Sequence, residues 1–245
     1  MKFIDTHIHL QDIKSAAAKD ILQNMHSLGI VKLINMSSTK NDWPGNAALA
    51  ESYADTVVPA FGIHPWYVSG HSADDLPVLD SFLQKYPAAI VGEIGLDGAK
   101  SNMEKQCEIF FAQTDMAKKY HRPASIHCVR AAEKIQNNWG KLPEKFVFHS
   151  YSGKKEFLRQ IINRGGHVGF GASIFRNPNA EEILNFAPIE RILLETDAPY
   201  QGFEPKKENS PENIIKIAHK IAEIRKENLE NFCEQIYKNS QEFIK

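Results

Sequence analysis

Short apolar runs alternate with longer stretches of helical period along most of the chain. Eight runs rich in β-branched and aromatic residues read as strands, at 2–5, 31–36, 56–62, 89–94, 124–128, 145–148, 167–171 and 191–196. The sixth and eighth are continuous apolar runs, the pattern of parallel strands buried on both faces. Between them, residues 102–120 place Ile109, Ala112, Met116 and Tyr120 along one helical face. Ser210 suits a helix N-cap and Pro211 a first helical residue, ahead of Ile214, Ile217, Ala218 and Ile221 at amphipathic spacing. A last helix is predicted over 227–243. No low-complexity linker and no strong internal repeat interrupts this order. Strand–helix alternation repeated eight times predicts an α/β fold, a single parallel (β/α)8 TIM barrel spanning 1–245.

Composition narrows the class without changing it. The 245 residues are 42% hydrophobic and 24% charged, which excludes a disordered, collagenous or fibrous chain. Basic and acidic residues nearly cancel, 29 against 30, so no global attraction to nucleic acid or an anionic membrane is encoded, and a nucleic-acid substrate needs a local patch or metal ions. Cys107, Cys128 and Cys233 are an odd number without CxxC spacing, and read as small buried hydrophobes in a reducing compartment. The N-terminus lacks the apolar core of a signal peptide, and no run approaches the roughly 20 apolar residues that span a bilayer. The expectation is a cytoplasmic, soluble protein with no membrane association and no evident obligate protein partner.

The histidines carry the chemistry. Of ten, His7, His9, His64, His127 and His149 fall at or just past the C-terminal end of a predicted strand, the end at which a barrel of this kind builds its active site. Asp5, Glu93, Asp97, Glu195 and Asp197 join them there. In an extended segment residues i and i+2 face the same side, so His7 and His9 can converge on one point. Alone, that pair is equally an ordinary pair of polar residues, and His127 or His149 alone is more often a hydrogen-bonded core histidine. Glu93 and Asp197 end very apolar strands, where an ionised carboxylate is costly unless paired or bound to a cation. One metal cluster of His7, His9, Glu93, His127, His149 and Asp197 accounts for all six together.

The segments Ile4-Asp5-Thr6-His7-Ile8-His9-Leu10, Gly62-Ile63-His64-Pro65-Trp66, Gly92-Glu93-Ile94-Gly95-Leu96-Asp97, Ser125-Ile126-His127, Phe148-His149-Ser150-Tyr151-Ser152-Gly153 and Glu195-Thr196-Asp197-Ala198-Pro199-Tyr200 resemble, in order, the motifs of the TatD-related, metal-dependent deoxyribonuclease family. Gln106, Asn209-Ser210-Pro211 and Asn239 add weaker echoes, so the resemblance covers essentially the whole chain. It implies an amidohydrolase-like barrel with two divalent ions (Zn, Mg or Mn). By that resemblance His7, His9 and Asp197 hold one ion, His127 and His149 the other, and Glu93 bridges them. It also places His64 against phosphate rather than metal. Two departures, Gln11 where the family usually has aspartate and Lys206-Lys207-Glu208-Asn209 after Ala198-Pro199-Tyr200, touch the phosphate contacts and leave the ligand set intact.

The implied reaction is hydrolysis of DNA or another phosphodiester by activated water, with Asp197 orienting or deprotonating that water and Glu93 fixing the ion pair. Arg130, Lys154, Lys155, Arg176, Lys206 and Lys207 follow strands and are candidates for flanking phosphates, Arg130 foremost. Trp66 and Tyr200 could stack on a base or simply pack at the rim. Two other readings remain open: an amidohydrolase acting on a C–N bond, and a non-catalytic metal-binding barrel.

Overall fold

The computed structural model describes every residue except Ala73. Eight parallel strands pair in chain order in one sheet: β1 (Phe3–Ile8), β2 (Ile30–Met36), β3 (Val57–Phe61), β4 (Ile90–Asp97), β5 (Ala124–Val129), β6 (Phe146–Phe148), β7 (His167–Phe170) and β8 (Ile192–Leu194). Helices α1 (Ala18–Met25), α2 (Trp43–Ser52), α3 (Asp75–Lys85), α4 (Met103–Lys119), α5 (Ala132–Gln136), α6 (Lys155–Asn163), α7 (Ala180–Phe186), α8 (Asn213–Arg225) and α9 (Leu229–Phe243) alternate with them. This is the TIM barrel the alternation predicts. No described helix is long and apolar enough to cross a membrane.

Each predicted strand coincides with an observed one, but two boundaries move for physical reasons. The first run extends to Ile8 and brings His7 inside β1. The last contracts to three residues because Thr196 donates its N–H to the Asp5 carboxylate (3.0 Å) instead of to a neighbouring strand. The seam between β8 and β1 is closed by individual bonds: the Thr6 hydroxyl donates to Leu194 O (2.9 Å), and the N–H groups of Asp197 and His9 donate to His7 O and Ala198 O (both 2.8 Å).

The barrel interior is apolar at the bottom and polar at the top. Ile34, Met36, Val58, Ala60, Ile90, Val147 and Leu193 pack together, plugged from below by Phe243 of α9. Two residues further along β6, Val147 gives way to His149. Past β8, Leu193 gives way to Glu195 and then Asp197, following the two-residue period of extended chain. Glu93 breaks this parity, since Ile90 already points inward and an offset of three reverses the face. An irregularity in the β4–β5 register between Val91 and Ile94 restores it, a bulge that re-aims the carboxylate into the barrel.

Two helix expectations need correction. On α4 the buried face is Gln106, Ile109, Phe110, Gln113, Thr114 and Ala117, not the stripe through Ala112, Met116 and Tyr120. Two of these are glutamines because their amides brace loops: Gln113 accepts from Ile63 N–H (2.7 Å) and donates to Ile63 O (3.2 Å). At the other helix, Ser210 does not cap and Pro211 is not its first residue. The Asn209 carboxamide oxygen accepts from Ser210 N–H (3.0 Å) and Asn213 Nδ2 (2.7 Å), holding 210–212 in a turn, and α8 starts at Asn213. Its apolar face of Ile214, Ile217, Ala218 and Ile221 is buried as the spacing predicts.

Gly95 lies at φ +150°, and a Cβ there would stand 2.0 Å from His127 O, whereas Gly45 in α2 has nothing within 4 Å of its Cβ position. Gly95→Ala therefore combines backbone strain with overpacking and should cost about 2–5 kcal/mol in denaturant unfolding. Gly45→Ala should stabilise by about 0.5–1 kcal/mol. Equal or same-sign shifts in the unfolding midpoints would contradict this account of the β4–β5 approach.

Candidate metal centre

Five imidazoles surround one carboxylate at the top of the barrel. Glu93 is buried, and its two oxygens face different partners. Oε2 lies 3.3 Å from Nε2 of His7 and of His9, on the β1 side. Oε1 lies 2.8 Å from His149 Nε2, 3.0 Å from His127 Nδ1 and 3.1 Å from His64 Nε2, on the β3, β5 and β6 side. Asp197 Oδ1 completes the first group, 3.6 Å from His9 Nε2 and 3.8 Å from His7 Nε2. Burial alone would push Glu93 toward its neutral form. The charges of His64, His149 and His7 and the His127 hydrogen bond overcome it and hold the group well below the usual carboxylate range. Asp197 has fewer such partners, and burial pushes it up to about 6 despite His149 and His9.

What stands behind each ring bears on which nitrogen is free to ligate. His7 Nδ1 faces the Ser125 hydroxyl (3.1 Å), His127 Nε2 faces Asp97 Oδ2 (3.5 Å), and His149 Nδ1 faces Glu195 Oε1 (3.7 Å). An acceptor in each of these places suits hydrogen on the far nitrogen and a free lone pair on the near one when the near nitrogen ligates an ion. His64 is the opposite case. Its Nδ1 accepts the Trp66 backbone N–H (3.2 Å), which leaves hydrogen on Nε2 and makes His64 a donor toward the centre. His9 Nδ1 has the Gln11 carboxamide 3.5 Å away, itself tied to Met36 O (2.8 Å).

On both sides of Glu93 the near nitrogens of two rings face each other. His127 Nδ1 stands 3.2 Å from His149 Nε2, and His7 Nε2 stands 3.3 Å from His9 Nε2. Two buried lone pairs at that range repel unless a cation lies between them. Nitrogens bound tetrahedrally at about 2.0–2.1 Å from one ion stand about 3.3 Å apart. The donor set therefore fits divalent ions, and His7, His9 and Asp197 form one grouping of suitable reach, while His7, Glu93 and His149 form another. The grouping of His64 with Glu93 and His127 has equal reach, but the proton on His64 Nε2 argues against it.

The centre opens into a cavity of about 1140 Å³, lined among others by Trp66, Tyr67, Val129, Arg130, Lys154, Arg176 and Tyr200. Trp66 (52% exposed), Tyr67, Val129 and Tyr200 are four of the six large apolar side chains that the described surface leaves exposed. Tyr67 and Val129 were not among the residues singled out from sequence. Nothing in their neighbours distinguishes them, and only the fold gathers them here. Of the six candidate cations, Arg130, Lys154 and Arg176 reach the cavity. Lys155, Lys206 and Lys207 do not line it: α6 turns Lys155 toward Glu182 (2.9 Å), and Lys207 pairs with Glu204 (2.9 Å). The opposite rim carries Asp12, which accepts from the Tyr200 hydroxyl (3.1 Å).

The sequence places Asp5, Asp97 and Glu195 near the strand ends without giving them roles. All three are buried behind the imidazole layer. Burial holds Asp5 at about 7, and drives Glu195 well above the carboxylate range with the Asp197 charge adding to it. Glu195 fits only because residue 169 is glycine, since a Cβ there would lie 2.0 Å from Glu195 Oε2. Gln106 braces Asp97 at the backbone, accepting its N–H (2.8 Å) and donating to its carbonyl (3.1 Å).

The chain is similar over its whole length to known proteins. It is 29% identical to YjjV of Escherichia coli K12, an uncharacterized metal-dependent hydrolase, over 98% of this chain and 96% of the relative. It is 28% identical to a 3'-5' ssDNA/RNA exonuclease TatD of Pantoea ananatis, over 98% of each. The crystal structure of the Escherichia coli YjjV superposes with a TM-score of 0.91, covering 98% of this chain and 97% of that one at 28% identity. A family profile described as TatD related DNase matches residues 4–245, and with the barrel and its ring of imidazoles in place the chain belongs to that family.

Proposed function

We propose that this protein is a metal-dependent phosphodiesterase acting on DNA, with two divalent ions held around Glu93. The observation that carries the reading is the close pairing of imidazole nitrogens about the two oxygens of one buried carboxylate. His7, His9 and Asp197 would hold one ion, His127 and His149 the other, with Glu93 offering one oxygen to each. Bound there, the ions would polarise a phosphoryl oxygen and bring the pKa of water near neutrality. The exonuclease and deoxyribonuclease names of relatives such as TatD of Pantoea ananatis and TATDN3 of Homo sapiens support the substrate class.

The chain's own groups divide the remaining work. His64 donates from Nε2 and is suited to hold a non-bridging phosphate oxygen, which a ligand histidine of the opposite tautomer could not do. Asp197 is the carboxylate of the centre with the weakest hold on its charge, and so the one suited to accept a proton from the attacking water at Oδ1. Trp66, Tyr67 and Tyr200 offer aromatic faces to bases, and Arg130, Lys154 and Arg176 offer cations to neighbouring phosphates. Gly62-Ile63-His64-Pro65-Trp66 thus supplies one phosphate donor and one stacking surface from a single loop.

Turnover of bis-p-nitrophenyl phosphate, a DNA oligonucleotide and a dihydroorotate-like amide by protein stripped of metal and reloaded with Zn²⁺ or Mn²⁺ tests the reading. Hydrolysis of the two phosphodiesters, lost on chelation and restored by either ion, is the expected result, while turnover of the amide alone would replace it with the C–N alternative. Glu93→Ala should bring metal content measured by elemental analysis below one ion per chain, whereas His149→Ala should empty mainly one site. Two ions retained in Glu93→Ala would remove the bridge. Asp197→Asn keeps shape and an oxygen but not basicity, so kcat should fall by about 10²–10⁴-fold while the ion at His127 and His149 stays bound. Activity within a few-fold of the parent at saturating metal would end that assignment.

A further inference from the structure

One carboxylate oxygen serves both the imidazole layer and the cavity mouth. Asp97 Oδ2 accepts the indole N–H of Trp66 at 2.6 Å, and it also faces His127 Nε2 at 3.5 Å, a buried nitrogen that makes no hydrogen bond. Asp97 cannot drift to favour either neighbour. Its Oδ1 accepts Ala99 N–H (2.8 Å), and Gln106 grips its backbone from both sides. Trp66 is half exposed at the mouth, its ring lies 4.2 Å from the Lys100 ammonium, and yet its indole is tied to a residue that is 2% exposed. An exposed aromatic anchored from behind is a fixed surface rather than a loose one.

We propose that Asp97 is a positioning residue that orients His127 for metal and, by sharing the same oxygen with Trp66, couples the mouth of the cavity to the hold on that ion. The inference rests on the reading of His127 as a metal ligand through Nδ1. An acceptor behind a ligating imidazole strengthens its donor nitrogen, and loss of such a partner typically weakens metal binding about 10–100-fold. The Trp66 N–H competes for that acceptor. The two neighbours of Oδ2 therefore act in opposite directions on His127: the carboxylate strengthens its grip, and the indole draws some of that strength away. By reciprocity, a base that shifts Trp66 at the mouth alters ion affinity, and the bound ion alters how Trp66 is held.

Competition titration of the metal-free protein with Zn²⁺ or Mn²⁺ against a chromophoric chelator, on the full chain, reads this without reference to activity. The parent should bind two ions; binding of none would fail the underlying reading and not this one. Asp97→Asn should weaken one of the two by about 10–100-fold and leave the other unchanged. Trp66→Phe, which keeps a ring at an exposed site but removes the N–H, should tighten the same ion by about two- to tenfold, the worth of one hydrogen bond returned to His127. A purely structural Trp66–Asp97 contact would loosen binding in both variants. A parent that binds both ions while the two variants move in the same direction, or Trp66→Phe does not move, overturns the proposal. The Trp66→Phe arm decides it even where Asp97→Asn does not fold.

Discussion

The structure at the top of this barrel is organised by the problem of keeping Glu93 ionised in a buried place. Five imidazoles within 3.3 Å of its oxygens solve that problem, and they impose a second one, because imidazoles packed this closely have nitrogens that face each other. Each ring then needs an acceptor behind it to decide where its proton sits. Ser125, Asp97 and Glu195 supply those acceptors for His7, His127 and His149. The outer carboxylates are buried in turn, and they need donors of their own, which come from Ser150 N–H for Glu195 and from Trp66 and Ala99 for Asp97. The polar layer therefore extends two shells outward from a single side chain before it meets the apolar packing of the helices.

This polar layer also closes the barrel. Strands β8 and β1 meet through side chains and single backbone bonds, and Asp5 accepts from both the N–H and the hydroxyl of Thr196. His7, His9 and Asp197 lie on that seam, so the geometry of one ligand group and the closure of the fold depend on the same few contacts. The apolar plug beneath, from Ile34 to Leu193 with Phe243, leaves the upper layer free to be polar without letting the barrel collapse.

Much of this was legible in the chain. The eight strands, the amphipathic face of α8 and the six convergent residues follow from apolar runs and from histidines placed at their ends. What was not legible depended on geometry that residue spacing does not encode. The facing of Glu93 follows from a bulge between Val91 and Ile94, and strict alternation from Ile90 points it outward. The buried face of α4 includes Gln106 and Gln113 because loops far along the chain need their amides, so an apolar stripe misplaces it. Lys155 and Arg176 look alike as basic residues after a strand, but one starts a helix that carries it to Glu182, while the other is held at the cavity by Gly202 O (2.7 Å) and Gln201 Oε1 (2.8 Å).

A chain with net charge −1 is poorly matched to a polyanion only if its surface has to do the attracting. On the proposed reading, two divalent ions against the ionised Glu93 and Asp197 leave the centre at about +2, concentrated in a buried site where screening is weak. Attraction of that kind acts over a short range and pulls on the phosphate to be cleaved rather than on the polymer as a whole. The rim then has a smaller task, to set direction, and its charges are arranged for that: Arg130, Lys154 and Arg176 lie on the β5–β7 side, and Asp12, fixed by Tyr200, lies on the β1 side. On that reading a phosphate chain seated at the centre would be favoured over β5–β7 and repelled at Asp12.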